Sequence, residues 1–211
     1  MLVCGVSRMK PRVKRSSREL TVAVLSLLWI AACGLAQSNP KPSPGVNRDA
    51  LIGTDFEKRV ADYMKLHQQA LTGMKVPKTT DSPALITEFQ HQLATKIRAL
   101  RPNARQGEIF TNEVADWFRR LIQQAMSGPP GVKIRASFQH AEPIHGIHLD
   151  VNQSYPDGLP LQSMPPSLLL NLPPLPKELE YRFVGRELVL RDIPANLIVD
   201  VVADVTATKT Q

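Results

Sequence analysis

The chain has 211 residues, and its 26 Lys and Arg against 19 Asp and Glu give a formal net charge of +7. Six of the basic residues and one acidic residue lie in the first 36 positions, so the remainder is nearly balanced, with 20 basic and 18 acidic residues. That balance argues against nucleic-acid binding, which a strongly basic chain would suggest. Both cysteines also lie in this stretch, which excludes disulfides and Cys-ligated zinc from residues 37–211.

Residues 1–36 predict a secretory leader, with a basic start, an apolar run over Leu20–Leu35 and small residues at its end. The apolar run is about 16 residues long, whereas a membrane span needs roughly 20. Cleavage after Ala36 would release a soluble protein into the periplasm or the medium. The residues before Cys33 also resemble a lipoprotein box, in which lipidation of this cysteine would hold the protein on a membrane surface. We therefore expect an exported protein that contacts membrane only if Cys33 is lipidated.

Residues 37–53 contain three prolines and no hydrophobic periodicity, which predicts a flexible tether. The pattern then becomes helical over residues 54–127. Thr54 and Glu57 form a capping box at the start of the first helix, Ser82 with Pro83 opens the second, and Thr111 opens the third. Each of the three segments carries one apolar stripe, as amphipathic helices do.

After Pro130 the pattern predicts strands, and 11 prolines between Pro129 and Pro194 argue against long helices. Period-two alternation and β-branched residues mark the candidates, a two-residue turn at Gly185-Arg186 suggests a hairpin, and one helical turn is predicted at Ser167–Asn171. Residues 205–211 are expected to form a frayed tail. The predicted strands are Val132–Phe138, Ile144–Val151, Leu179–Val184, Glu187–Asp192 and Asn196–Val202.

These elements predict an α+β fold, in which three amphipathic helices pack on a small, mostly antiparallel sheet. A single domain is expected over residues 54–204, helical over 54–127 and β-rich over 131–204. Because each helix has one apolar stripe and the sheet one apolar face, neither half is expected to fold without the other.

The C-terminal part carries a recognisable pattern, which reads Leu172–Pro176 (LPPLP), Leu179–Leu188 (LEYRFVGREL), then Asp192 and Asn196–Asp200 (NLIVD). This pattern resembles the signature of a family of uncharacterised exported bacterial proteins. Similarity to that family extends to the helical part. The resemblance implies export and no particular activity, because the signature contains no motif with known chemistry.

One segment is a candidate metal or acid–base site, because His140, Glu142, His145, His148 and Asp150 occur close together. If residues 144–151 form a strand, His148 and Asp150 share one face and His145 lies on the other. Two ligands on one face are too few for a standard structural zinc site. A polar stripe facing solvent is the competing interpretation, and it is the one we favour.

Three further sets of polar residues have structural interpretations. His67 falls within the apolar stripe of the first helix and is expected to be a satisfied core residue rather than a catalytic one. The arginines of the second and third helices are expected to act structurally near helix ends. Asp192 and Asp200 are predicted to pair across strands with arginines of the hairpin. The helix arginines are Arg98, Arg101, Arg105, Arg119 and Arg120, and the hairpin arginines are Arg182, Arg186 and Arg191.

The sequence lacks a nucleophile elbow, a zinc-protease helix and a phosphate-binding loop. We therefore favour a non-enzymatic binding or accessory module of the cell envelope, without a cofactor, that binds an envelope protein or a small apolar ligand. One alternative is a metal-assisted hydrolase that uses the His140–Asp150 segment. The other is a structural lipoprotein anchored through Cys33.

Overall fold

In the computed structural model, which describes residues 47–77, 82–139, 149–156, 159 and 164–206, helices precede a three-stranded antiparallel sheet. This arrangement confirms the predicted α+β class. Within those ranges, no helix has both the length and the apolar character that crossing a membrane requires. The elements in chain order are α1 (Arg48–Leu71), α2 (Pro83–Leu100), α3 (Asn112–Met126), α4 (Gly128–Gln139), α5 (Pro166–Leu169), β1 (Leu179–Val184), β2 (Glu187–Asp192) and β3 (Leu197–Val202).

Helix α1 begins earlier than predicted, because Asn47 rather than Thr54 caps it. The Asn47 side chain accepts a hydrogen bond from the Asp49 N–H at 3.1 Å, as N-cap residues do. The Thr54 hydroxyl instead donates to the Ala50 carbonyl at 3.0 Å, within the helix. Residues 48–53 are therefore helical and do not belong to the predicted tether.

Helices α2 and α3 begin at the predicted positions. Ser82 is the N-cap of α2 with Pro83 at its first position, and the Thr111 hydroxyl accepts from the Val114 N–H at 3.4 Å. The apolar stripe of α2 is only partly buried, because Leu85 and Ile86 in its first turn are 59% and 42% exposed. The predicted stripe of α2 therefore contributes to the core mainly through its C-terminal half.

Helix α4 replaces the strand predicted at Val132–Phe138, and that prediction is wrong. Pro129 and Pro130 lie in the first turn, where a missing N–H removes no intrahelical hydrogen bond. The helical region therefore extends past residue 127, and the β-rich part does not begin at 131. For the strand predicted at Ile144–Val151, residues 144–148 lie outside the described residues, and 149–151 form no strand.

Of the predictions for the C-terminal part, the helical turn agrees with the structure and the start of the tail does not. Helix α5 confirms the helical turn predicted at Ser167–Asn171, and the following Leu172 is buried in the core. The predicted tail starts too early, because Val205 is fully buried and its N–H donates to the Arg186 carbonyl at 3.0 Å.

The sheet has the order β1-β2-β3, and both pairs are antiparallel. The β1–β2 hairpin turns at Gly185-Arg186 as predicted, and Gly185 has a φ of 58°, a conformation that glycine adopts without strain. Between β2 and β3 the register shifts: Leu190 pairs with Asp200 and Arg191 with Ile198, so Val199 is bypassed. A bulge of this kind reverses the facing of the residues that follow it.

The two faces of the sheet have different surroundings. One face packs on the helices and forms the main core, in which the aromatic rings of Phe56, Phe110 and Phe118 pack against one another, stacked or edge to face, with centroids 5.1–5.9 Å apart. The opposite face is covered by the segment around Tyr155, which forms a smaller apolar cluster with Val189 and Ile198 among others. Both faces of the sheet are therefore covered, and its residues are largely buried.

Candidate functional site

The structure does not assemble the predicted metal site in the residues that it describes. Asp150 is exposed and follows the buried Leu149 in a loop, whereas His145 and His148 lie outside the described residues, as do Cys33 and Ala36. No group of three or more His, Cys, Asp or Glu side chains with metal-binding geometry occurs in the described ranges. The predictions for these residues therefore remain predictions.

A buried hydrogen-bonded cluster around Asp192 joins α1 to the sheet. The Asp192 carboxylate accepts from the Tyr63 hydroxyl at 2.7 Å and from the Ala195 N–H at 2.9 Å, and His67 Nδ1 lies 2.6 Å from it. His67 and Asp192 are both fully buried. Burial raises the pKa of the Tyr63 hydroxyl, and the nearby Asp192 charge raises it further.

The histidine–aspartate pair in this cluster resembles a catalytic dyad, but a substrate could not reach it. His67 Nε2, the atom that would act on a substrate, is buried and has no hydrogen-bond partner among the described residues. A general base must come within hydrogen-bond reach of the proton that it removes. The arrangement therefore fits the predicted core position of His67, but the described residues do not satisfy its Nε2 as the prediction expected.

A second buried carboxylate, that of Asp200, holds the loop between α2 and α3 on the sheet. Its two oxygens accept four backbone N–H groups at 2.8–2.9 Å, from Gly107, Ile109, Phe110 and Val201. Gly107 has a φ of 90°, a conformation that glycine adopts without strain. Burial raises the pKa of the Asp200 carboxyl, and the four backbone donors oppose that rise.

The prediction that Asp192 and Asp200 pair with hairpin arginines is wrong. Both carboxylates face the helices, and α1 and the α2–α3 loop supply most of their hydrogen-bond partners. The hairpin arginines have other partners: Arg182 and Arg191 bind Glu180, and Arg186 binds Asp204.

Three of the five helix arginines act structurally, as predicted, and each of them donates to a backbone carbonyl. Arg98 donates to the Asn152 carbonyl at 2.7 Å, and Arg101 donates to that of Val199 at 3.3 Å. The same kind of bond joins Arg119 to the Ala203 carbonyl at 3.0 Å. These bonds fix α2 and α3 to the β3 side of the sheet. Of the other two helix arginines, Arg105 is exposed and Arg120 pairs with Asp49.

A groove with a volume of about 470 Å³ lies beside β1. This volume falls within the range of about 300–1,000 Å³ that small-molecule sites occupy. Leu169 on its wall is 44% exposed, whereas the adjacent Leu170, 88% exposed, is not part of the lining. Its apolar lining comes from three segments of the chain and consists of Met164, Leu169, Pro173, Pro174, Leu175 and Leu179.

The proline wall of this groove is held in place from both sides. Leu172, directly before the prolines, is buried in the main core, and the Tyr181 hydroxyl donates to the Pro173 carbonyl at 3.0 Å. Proline also restricts its own φ to a narrow range. The groove is therefore largely preformed.

Charged side chains form one part of the groove lining. Glu180 and Arg182 line it, and the Glu180 carboxylate accepts from Arg182 at 2.6 Å and from Arg191 at 2.7 Å. Burial raises the pKa of the Glu180 carboxyl, but the two arginines outweigh that effect and the net change is a lowering. Glu180 is therefore a stable anion between two cations.

The sequence contained part of the signal for these sites. Leu188, Leu190 and Asp192 alternate along β2, so the inward facing of Asp192 follows from the pattern. Asp200 could not be placed in this way, because the bulge at Val199 changes the facing of the residues after it. The groove combines separated segments and has no local signal.

No protein-family model, no curated protein and no solved structure matches this chain. The resemblance to a family of exported proteins is therefore untested and stays a prediction.

Proposed function

We propose that the protein is an exported, non-enzymatic binding module of the cell envelope, and that the groove beside β1 binds a small apolar ligand. The proposal of export is based on the predicted leader, and the protein is proposed to contact a membrane only if Cys33 is lipidated. The observation that carries the proposal is the largely preformed groove, lined by apolar side chains and by the Glu180–Arg182 pair, with Leu169 half-exposed on its wall. Concave sites that combine apolar walls with a few polar groups are typical of small-molecule binding.

The buried ionisable groups support binding rather than catalysis. The carboxylates of Asp192 and Asp200 accept hydrogen bonds from other parts of the fold, and His67 Nε2 is buried. The groove itself presents a paired carboxylate, Glu180, whose lowered pKa makes it a poor general base near neutral pH. The side chains that line the groove therefore favour ligand binding over catalysis.

The experiment is a titration of the processed protein with N-phenyl-1-naphthylamine, a neutral apolar fluorophore. We expect saturable binding at one site. Leu169→Asp should abolish it, because a charge on the apolar wall must be desolvated when the probe enters. Leu170→Asp is the matched control, because it places the same charge one position away on a side chain outside the lining.

Equal titration curves for Leu169→Asp and Leu170→Asp would place the probe elsewhere and contradict the proposal. The absence of saturable binding to the wild-type protein would also contradict it. Because Leu169 is already half-exposed, its replacement is expected to leave the melting temperature close to that of Leu170→Asp.

A further inference from the structure

The two arginines that bind Glu180, Arg182 and Arg191, differ in the number of hydrogen bonds that they make within the fold. Arg191 donates from three nitrogens, one to Glu180 and two to Asn196 at 3.0 and 2.6 Å, and its guanidinium lies 4.9 Å from the Tyr155 ring centroid. Arg182 has one hydrogen bond to a described residue, the 2.6 Å bond to Glu180. Arg182 lines the groove, whereas Arg191 does not.

Two polar atoms in this cluster lack partners. Arg182 Nε and the Tyr155 hydroxyl are buried and make no hydrogen bond within the described ranges. Arg182, Arg191 and Glu180 all act electrostatically on that hydroxyl, so the two atoms belong to one cluster. Buried donors without acceptors are uncommon, and each suggests a water or a ligand that supplies one.

Among the described residues, this cluster carries more positive than negative charge. One carboxylate, that of Glu180, serves two guanidinium groups whose side chains are only 17% and 14% exposed. A bound water could accept a hydrogen bond here, but it would leave the excess charge uncompensated. An anion supplies both an acceptor and the missing negative charge.

We propose that the ligand of the groove is an amphipathic carboxylate, a molecule with one apolar chain and one carboxylate that pairs with Arg182. The apolar chain lies along the wall formed by Met164, Leu169 and Leu175, and the carboxylate accepts hydrogen bonds from the Arg182 guanidinium. The inference rests on the proposed function, because it assigns the chemistry of the ligand at the same site. No covalent step is involved.

The test compares two probes with the same ten-carbon chain, decanoate and decan-1-ol, as competitors of N-phenyl-1-naphthylamine at pH 7. The wild-type protein should bind decanoate at least about tenfold more tightly than decanol, since hydrogen bonds to charged groups exceed neutral ones by roughly that amount. Arg182→Gln should lower decanoate affinity to that of decanol and leave decanol affinity unchanged. Arg186→Gln is the control, because Arg186 lies in the same hairpin but is exposed and pairs with Asp204.

The outcomes separate this inference from the proposed function. Equal affinities of decanoate and decanol in the wild-type protein would contradict the assignment of a carboxylate to the ligand. They would leave the proposed binding of an apolar ligand in the groove intact. A preference for decanoate that survives Arg182→Gln would overturn the role of Arg182. Failure of the fluorophore to bind at all would overturn the proposed function instead. If Arg182→Gln does not fold, Arg182→Lys keeps the charge and should retain part of the preference, and its complete retention or complete loss would count against pairing through the guanidinium.

Discussion

Replacement of Asp200 tests how the helical layer is attached to the sheet. Its four acceptor contacts divide evenly: Oδ1 accepts from Gly107 and Val201, and Oδ2 accepts from Ile109 and Phe110. Asp200→Ala leaves four N–H groups without an acceptor, mostly in buried backbone. At about 1 kcal/mol or more for each unsatisfied group, the loss is about 4 kcal/mol, a large part of the roughly 5–15 kcal/mol that stabilises a domain.

The conservative variant gives a graded result. Asp200→Asn keeps one carbonyl oxygen, and with it two of the four bonds, so about 2 kcal/mol should be lost from the missing pair. Asp204→Asn is the control, because the exposed pair of Asp204 with Arg186 contributes at most about 1 kcal/mol.

The assay is urea unfolding of the processed protein, followed by the fluorescence of Trp117. This residue is the single tryptophan after position 36, and its ring packs against Phe118 with centroids 5.5 Å apart. A loss of less than about 1 kcal/mol for Asp200→Ala, or a larger loss for Asp200→Asn than for Asp200→Ala, would refute this prediction.

Two further predictions concern acid and metals. Because the pKa of Glu180 is lowered in the folded state, the stability that it contributes is present above its unfolded value of about 4.3 and is lost as the pH falls through the folded value. Glu180→Gln should therefore reduce stability more at pH 7 than near pH 2, as measured by urea unfolding at both pH values; equal losses at the two pH values would contradict this. Melting curves of the processed protein with zinc, manganese, calcium or EDTA should coincide, whereas a saturable metal shift that His148→Ala removes would favour the metal-assisted hydrolase.

The sequence predicted the elements whose signals are local. Amphipathic periodicity placed α2 and α3, and the Gly185-Arg186 turn placed the β1–β2 hairpin at its observed bounds. Errors arose where two local signals competed. Thr54 satisfies a capping box, yet Asn47 caps the helix first, and the alternation of Val132–Phe138 occurs within a helix whose prolines are confined to its first turn.

The candidate site could be predicted only in part, because it depends on pairing and on distant contacts. His67 was expected in the core, but its partner Asp192 lies 125 positions away. The groove joins Met164, Leu175 and Arg182 around the edge of β1, and nothing in the spacing of these residues indicates that they meet. Tertiary packing therefore decides where recognition can occur, whereas the local pattern decides which elements are available.

The most direct test of the account is an NMR titration of the leucine-methyl-labelled, processed protein with decanoate. We expect saturable shifts of the Leu169 and Leu175 methyl groups, whereas Leu51 and Leu85, which are exposed on α1 and α2, should be unchanged. Shifts of Leu51 and Leu85 as large as those of the groove leucines, or no shift at Leu169 and Leu175 at saturating decanoate, would contradict the claim that the groove beside β1 is the binding site.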